Sequence, residues 1–301
     1  MPEGMWASGV AVKYPEIIRR VHRLYLEAGA DIISTATYQA SAHGYKRAGL
    51  ASSDEEAEQL MAETLALAVD AREEHLKCKS NAEGRPLIAV SLGSIGATLK
   101  NFSEYTGDHG SSIATDDIKE FHLQRLQALA RCLKSPKLRG QMDLLAIETI
   151  PSIAEAEAVV DALDEISKQE GSSSLPPTWL AFTATQPDCI GSGEPIEDAV
   201  RVASRSASVF AVGVNCVPLH IVPALLGHVK RVTEKPIVCY PNGQTWTGSA
   251  EEWDDDSARV SPQTFADNAV TWSRSGAKII GGCCKTKPEH IRAVAKLNDG
   301  L

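Results

Sequence analysis

The run "KIIGGCCKTKP", Lys278 to Pro288, sets two adjacent cysteines behind two glycines and an apolar stretch. Neighbouring cysteines rarely pair with each other, because consecutive Cα atoms lie closer together than a relaxed disulfide allows. A third cysteine, Cys216, closes the apolar run "VFAVGVNC". Three thiolates converging on one point make a soft, zinc-preferring site, and three protein ligands leave a fourth position open for chemistry. Gly281 and Gly282 are expected to let the backbone bend so that Cys283 and Cys284 both reach one ion. Two other readings of the trio stand beside this one. Cysteines in strands are often small buried hydrophobes, and a vicinal pair could do dithiol redox chemistry, although it lacks the two-residue spacer of the usual motif. Of the other four, Cys239 reads as mid-strand packing, Cys132 and Cys189 as packing or loop, and Cys78 as exposed near a lysine-rich helix end.

Other polar residues follow apolar runs in the same way. Glu148 and Thr149 come after "DLLAI", Thr35, Thr37 and Tyr38 after "DIIS", and Asn215 just before Cys216. Pro241 and Asn242 come after "PIVCY". A carboxylate such as Glu148 at the end of an apolar strand is either a buried structural partner or a ligand for a cationic group. The eight histidines (22, 43, 75, 109, 122, 220, 228 and 290) avoid strand ends and read as surface or helix-packing residues. "SLGSIGATL" lacks the spacing of a dinucleotide or P-loop fingerprint.

These residues need elements to position them. Short β-branched runs alternate with longer stretches of helical periodicity. Helices are expected over 14–28, 53–74, 115–132, 152–169, 195–206, 218–232, 264–275 and 288–297. Strands are expected over 31–38, 86–96, 143–150, 178–185, 209–216, 236–242 and 278–284. Helix–strand alternation implies parallel pairing, and near-continuous apolar strands imply a sheet covered on both faces. A (β/α) barrel and a doubly wound open sheet both fit, and in either the chemistry sits at the carboxyl ends of the strands. The segments 168–177 and 249–260 read as surface loops, the second acidic.

The 301 residues suit a single domain spanning 1–301. A formal net charge of −9 argues against nucleic acid or an anionic membrane as partner. No apolar run reaches the length of a membrane span, and the first twenty residues lack the layout of a secretory signal. An odd count of seven cysteines argues against a disulfide framework, so a reducing, cytoplasmic setting is expected.

"GVNC" and "GGCC", with "LLAIETIPS", "GADIISTATYQAS", "EYTGD" and "KPIVCYPNGQTW", resemble the homocysteine S-methyltransferase family over essentially the whole chain. The resemblance is to the branch that uses S-methylmethionine or S-adenosylmethionine. It implies a zinc-dependent (β/α)8 TIM barrel with Zn2+ on Cys216, Cys283 and Cys284. It further implies methyl transfer from the sulfonium donor to a zinc-bound homocysteine thiolate, forming methionine. Glu148 matches the residue that binds the homocysteine ammonium, Thr35 one near its carboxylate, and Asn215 one that orients the ligand or the Cys216 loop. Two departures accompany it. Lys285 stands where the family has arginine. Family members also begin with a strand carrying Asp-Gly-Gly, ahead of the tryptophan that Trp6 matches, whereas only seven strands are readable here. The expectation is therefore a barrel lacking its first strand, with two open edges and impaired turnover. The alternatives are a zinc-binding pseudoenzyme and a thiol redox barrel.

Overall fold

The computed structural model describes residues 5–78, 84–99, 101–109, 113–171, 174–244 and 259–298. Its centre is a sheet of seven parallel strands in chain order: β1 Ile32–Ser34, β2 Leu87–Gly93, β3 Leu144–Ile150, β4 Thr178–Phe182, β5 Val209–Asn215, β6 Ile237–Tyr240 and β7 Ala277–Ile280. Each strand pairs only with its sequence neighbours. The sheet curls into an incomplete barrel, and β1 and β7 flank a cleft of about 1660 Å³.

The helices, in order, are α1 Trp6–Lys13, α2 Pro15–Glu27, α3 Ala42–Arg47, α4 Asp54–Cys78, α5 Ser103–Thr106, α6 Thr115–Leu133, α7 Ile153–Glu170, α8 Ile196–Ser204, α9 Val222–Val232, α10 Pro262–Arg274 and α11 Pro288–Asn298. Among the described residues, no helix is long and apolar enough to cross a membrane.

From β2 to β6 both faces of the sheet are buried, and the two-residue period of a strand sorts its side chains between them. On β3, Leu145 and Ile147 join the large core under the helices, while Leu144 and Ala146 point into the barrel. The inner layer is built from Ala89, Ala146, Trp179, Ala181, Ala211 and Val238. Mostly small residues suit a barrel this narrow. Continuing the same parity brings Ser91, Glu148, Asn215 and Tyr240 to the inner rim at the strands' carboxyl ends. Register agrees, because Gly93 is level with Glu148 and Asn215 with Tyr240.

Several elements differ from the sequence expectation for identifiable reasons. β1 stops at Ser34 rather than Tyr38, because threonine side chains take over from the ladder. The Thr37 hydroxyl donates to the Ser91 carbonyl at 2.7 Å, and the Ser91 N–H donates to the Thr35 hydroxyl at 3.1 Å. The stretch 218–232 divides into a 3-10 turn, Leu219–Ile221, and then α9 with a proline in its first turn. At α7, Ser152 caps the helix by accepting from the Glu155 N–H at 3.2 Å. The Glu155 side chain does not return the bond. It is buried against His122 (2.8 Å), His109 (3.6 Å) and the Ile95 N–H (2.7 Å). Burial alone would raise its pKa, but these partners hold it down at about 2. The acidic loop expected over 249–260 lies mostly outside the described residues.

Candidate functional site

Cys216, Cys283 and Cys284 come together at the rim, their three sulfurs within 4.8 Å of one another. The Cys216 Sγ is 2.9 Å from that of Cys283 and 3.5 Å from that of Cys284. These distances exceed a disulfide bond of about 2.05 Å. They fall somewhat short of the roughly 3.8 Å that separates two thiolates on a tetrahedral zinc with bonds near 2.3 Å. A small outward movement of the sulfurs would therefore seat an ion, and three soft donors with one face open fit zinc by their chemistry. Contacts with Cys216 and then Cys283 push the Cys284 thiol below its usual pKa. Cys283 is raised by its contacts with Cys216 and Cys284, and Cys216 is raised on balance, since its contact with Cys283 lowers it while its contact with Cys284 and burial raise it.

The backbone that delivers these thiols is strained in a specific pattern. Among the described residues, four that are not glycine have positive φ: Phe102 (60°), Thr149 (61°), Cys216 (54°) and Lys285 (63°). Such angles are uncommon outside glycine, and for a β-branched residue they are outliers. Three of the four belong to the rim: Thr149 follows Glu148, Cys216 is one of the trio and Lys285 follows Cys284. The role given to the glycines changes accordingly. Neither Gly281 nor Gly282 has positive φ; the turn is made at Lys285 instead. Gly282 is needed for space, since a Cβ there would stand 2.6 Å from the Thr286 side chain. The Thr286 hydroxyl in turn donates to the Cys283 carbonyl at 2.6 Å and fixes the loop.

Glu148 is buried and faces inward. The Ser91 hydroxyl donates to its Oε1, and the Tyr240 hydroxyl makes a second hydrogen bond to the carboxylate. Tyr240 accepts from the Trp179 Nε1–H at 3.0 Å, which orients the phenol. Burial raises the pKa of Glu148, and the two hydroxyls offset part of that rise. The sequence did not single out Ser91, Tyr240 or Trp179. Their signal was the inward parity they share with Glu148.

Asn215 is turned toward Thr149. Its Oδ1 accepts from the Thr149 N–H and its Nδ2 donates to the Thr149 hydroxyl, both at 2.7 Å. This two-point clamp holds Thr149 at positive φ, where the β3–β4 register shifts between Ile147 and Ile150. Bulges of this kind re-aim side chains beside active sites, and here the irregularity spans Glu148. Asn215 thus supports the neighbouring rim residue. Replacing it with alanine strands the buried Thr149 N–H. A loss of about 1–3 kcal/mol in unfolding free energy is expected from urea denaturation.

Thr35 lies on the same rim, buried, but its hydroxyl is already committed. Thr37 spends its proton on the Ser91 carbonyl, so in the 2.6 Å contact between the two hydroxyls Thr35 is the donor. Thr35 also accepts from Ser91. It can donate to a ligand carboxylate only by giving up Thr37.

The remaining cysteines fall where the sequence put them: Cys239 and Cys132 are buried, Cys189 half-buried and Cys78 exposed. His22, His75, His122 and His290 are buried in packing roles. Tyr105 was not foreseen at the site, and its hydroxyl lies 3.7 Å from the Cys216 sulfur.

The family model described as homocysteine S-methyltransferase matches residues 1–297. Homocysteine S-methyltransferase 1 of Arabidopsis thaliana is 39% identical over 302 residues, covering 97% of this chain and 86% of that protein. Selenocysteine methyltransferase of Astragalus bisulcatus is 37% identical over 306 residues, with the same two coverages. Among solved structures, the metallated form of the homocysteine methyltransferase MmuM from Escherichia coli is similar at a TM-score of 0.79 and 32% identity, covering 99% of this chain and 90% of that one.

Proposed function

The chain belongs to the homocysteine S-methyltransferase family, and from that premise we propose that it moves a methyl group from a sulfonium donor to homocysteine, forming methionine. The donor is S-methylmethionine or S-adenosylmethionine. The observation that carries the reading is the convergence of three cysteine sulfurs within 4.8 Å on a rim that also holds a buried inward carboxylate, Glu148.

The three cysteines would hold a zinc ion. When bound, the ion would act as a Lewis acid that lowers the pKa of the substrate thiol, which is otherwise mostly protonated at neutral pH. The other tasks fall to the chain's own residues. Glu148, held from one side by Ser91 and Tyr240, presents its charge to the homocysteine ammonium. Asn215 keeps Glu148 and Cys216 in place through Thr149. Thr35 meets the substrate carboxylate by exchanging its bond to Thr37. The cysteine thiolates add negative charge that attracts a cationic donor. The new bond joins the homocysteine sulfur to the methyl carbon, and the carbon–sulfur bond of the donor breaks. The donor leaves as a neutral thioether, and the thiol proton goes to solvent.

The test is methionine formation by the purified protein with homocysteine, zinc and each donor in parallel, with and without a chelator. Methionine that a chelator abolishes is expected from one donor or both. No methionine from a protein carrying about one zinc would overturn turnover and leave a zinc-binding protein.

A further inference from the structure

We propose that Glu104 is the subsite for the positive charge of the methyl donor, an inference that rests on the methyl-transfer reading above. α5 is a single helical turn in the loop after β2, and its backbone is gripped by two glycines. A Cβ on Gly96 would stand 2.4 Å from the Glu104 amide nitrogen, and one on Gly191 would stand 2.3 Å from the Tyr105 carbonyl oxygen. Any larger residue at either position would push the turn off the rim. The chain enters it through Phe102 at φ 60° and leaves through Gly107 at φ 72°. Held this way, Tyr105 reaches Cys216, and the Glu104 side chain is turned inward with the residue only 3% exposed.

Glu104 Oε2 is buried and has no hydrogen-bond partner among the described residues. Burial raises the Glu104 pKa, a bond from its own backbone N–H offsets part of that rise, and the Cys284 thiol adds to it. Burial and, to a lesser extent, Cys216, Glu104 and Glu148 all raise the pKa of Tyr38, which puts both carboxylates within electrostatic reach of the same phenol.

A desolvated carboxylate oxygen without a partner is unfavourable, and it is retained most readily where a ligand supplies the missing cation. Among the described residues, no protein cation bonds this oxygen. The buried guanidinium of Arg125 donates instead to the carbonyls of Ala40, Gly93 and Tyr38. Glu148 differs, because Ser91 and Tyr240 already hold it and the homocysteine ammonium accounts for its charge. The cation left for Glu104 is the donor's, either the sulfonium or the α-ammonium.

The chemistry favours such a contact. The sulfonium charge disappears during transfer, so a carboxylate beside it holds the substrate and releases the neutral product. Removing that carboxylate should therefore raise the donor KM more than it lowers kcat.

The test is Glu104→Gln, which keeps shape and removes charge. The donor KM is expected to rise about 10- to 100-fold, the range of one charge-assisted hydrogen bond, with the homocysteine KM within about twofold. Because a buried unpaired charge is removed, the thermal midpoint should stay level or rise. Calorimetry of S-methylmethionine on the zinc-loaded protein without homocysteine should show the same loss. Trimethylsulfonium, which has no ammonium, distinguishes the two cations: weakened binding of this probe places the sulfonium at Glu104, and unchanged binding places the α-ammonium there. Glu104→Asp should recover part of the donor affinity.

Wild-type donor affinity in Glu104→Gln overturns the proposal. So does an equal loss for homocysteine, or a marked fall in melting temperature, which would mark a structural residue. If the wild-type protein binds S-methylmethionine through Glu104 but forms no methionine, the turnover reading fails while the subsite stands.

Discussion

Changing Cys216, Cys283 or Cys284 singly to serine is expected to empty the metal site and to slow methionine formation by at least about a thousandfold. Two effects add. Serine is a poor ligand for a soft, thiolate-bound ion, so two remaining cysteines should not retain zinc through gel filtration. Without the ion, the substrate thiol returns to a pKa near 8.5 and only a few per cent is thiolate at neutral pH. That alone slows transfer by a few tens-fold. Loss of orientation at the open position accounts for the rest, since a correctly held nucleophile carries a large effective concentration. Cys239→Ala is the control. Cys239 is buried in β6, and burial pushes its thiol up beyond any reactive range. Zinc stoichiometry and rate should survive there, with a small loss of stability from the vacated volume. Metal analysis of the four variants checks the prediction directly. Full zinc in any one of the three serine variants would remove that cysteine from the site.

The trio was legible because strand ends are where parallel sheets gather polar residues, and the glycine-flanked pair is compositionally unusual. The seven strands were legible from their apolar runs, although β1 is shorter than its pattern. Its last residues look extended in sequence, yet after the Thr35 N–H reaches the Ala89 carbonyl the link to β2 is carried by the side chains of Thr35 and Thr37. Glu148 was visible as a carboxylate after "DLLAI". Its partners Ser91 and Tyr240 come from β2 and β6, and only register brings them to it. Asn215 could not be told from a ligand contact by sequence, since its two bonds to Thr149 depend on a bulge that no local pattern announces. α5 was hidden for a similar reason. It is one turn long, with no periodicity to read, and it is fixed by Gly96 and Gly191, which lie 8 and 87 positions from Glu104. Positive φ at Cys216 and Lys285 was likewise unreadable, because the residue types there do not ask for it.

Glu148→Gln should separate substrate capture from metal binding. Glutamine keeps the volume, and its carbonyl oxygen can still accept from Ser91 and Tyr240, so the rim should keep its shape. What disappears is the charge that pairs with an ammonium in a desolvated place, where losing one partner costs about 2–5 kcal/mol. The homocysteine KM is therefore expected to rise by about 30-fold to a few thousandfold, while zinc content and donor affinity stay near those of the wild type. Stability should not fall, because a buried carboxylate has been neutralised. The pH profile carries an independent signature. Burial raises the Glu148 pKa above the ordinary carboxylate range. Its charge is present above that raised value and is lost as the pH falls through it. In the wild-type protein the homocysteine KM should thus climb on mild acidification, earlier than an ordinary carboxylate would require. In Glu148→Gln that acidic limb should vanish, leaving a high KM independent of pH over the same window. If the variant keeps the wild-type KM, or keeps the acidic limb, then Glu148 serves the barrel's architecture and the homocysteine ammonium is held elsewhere.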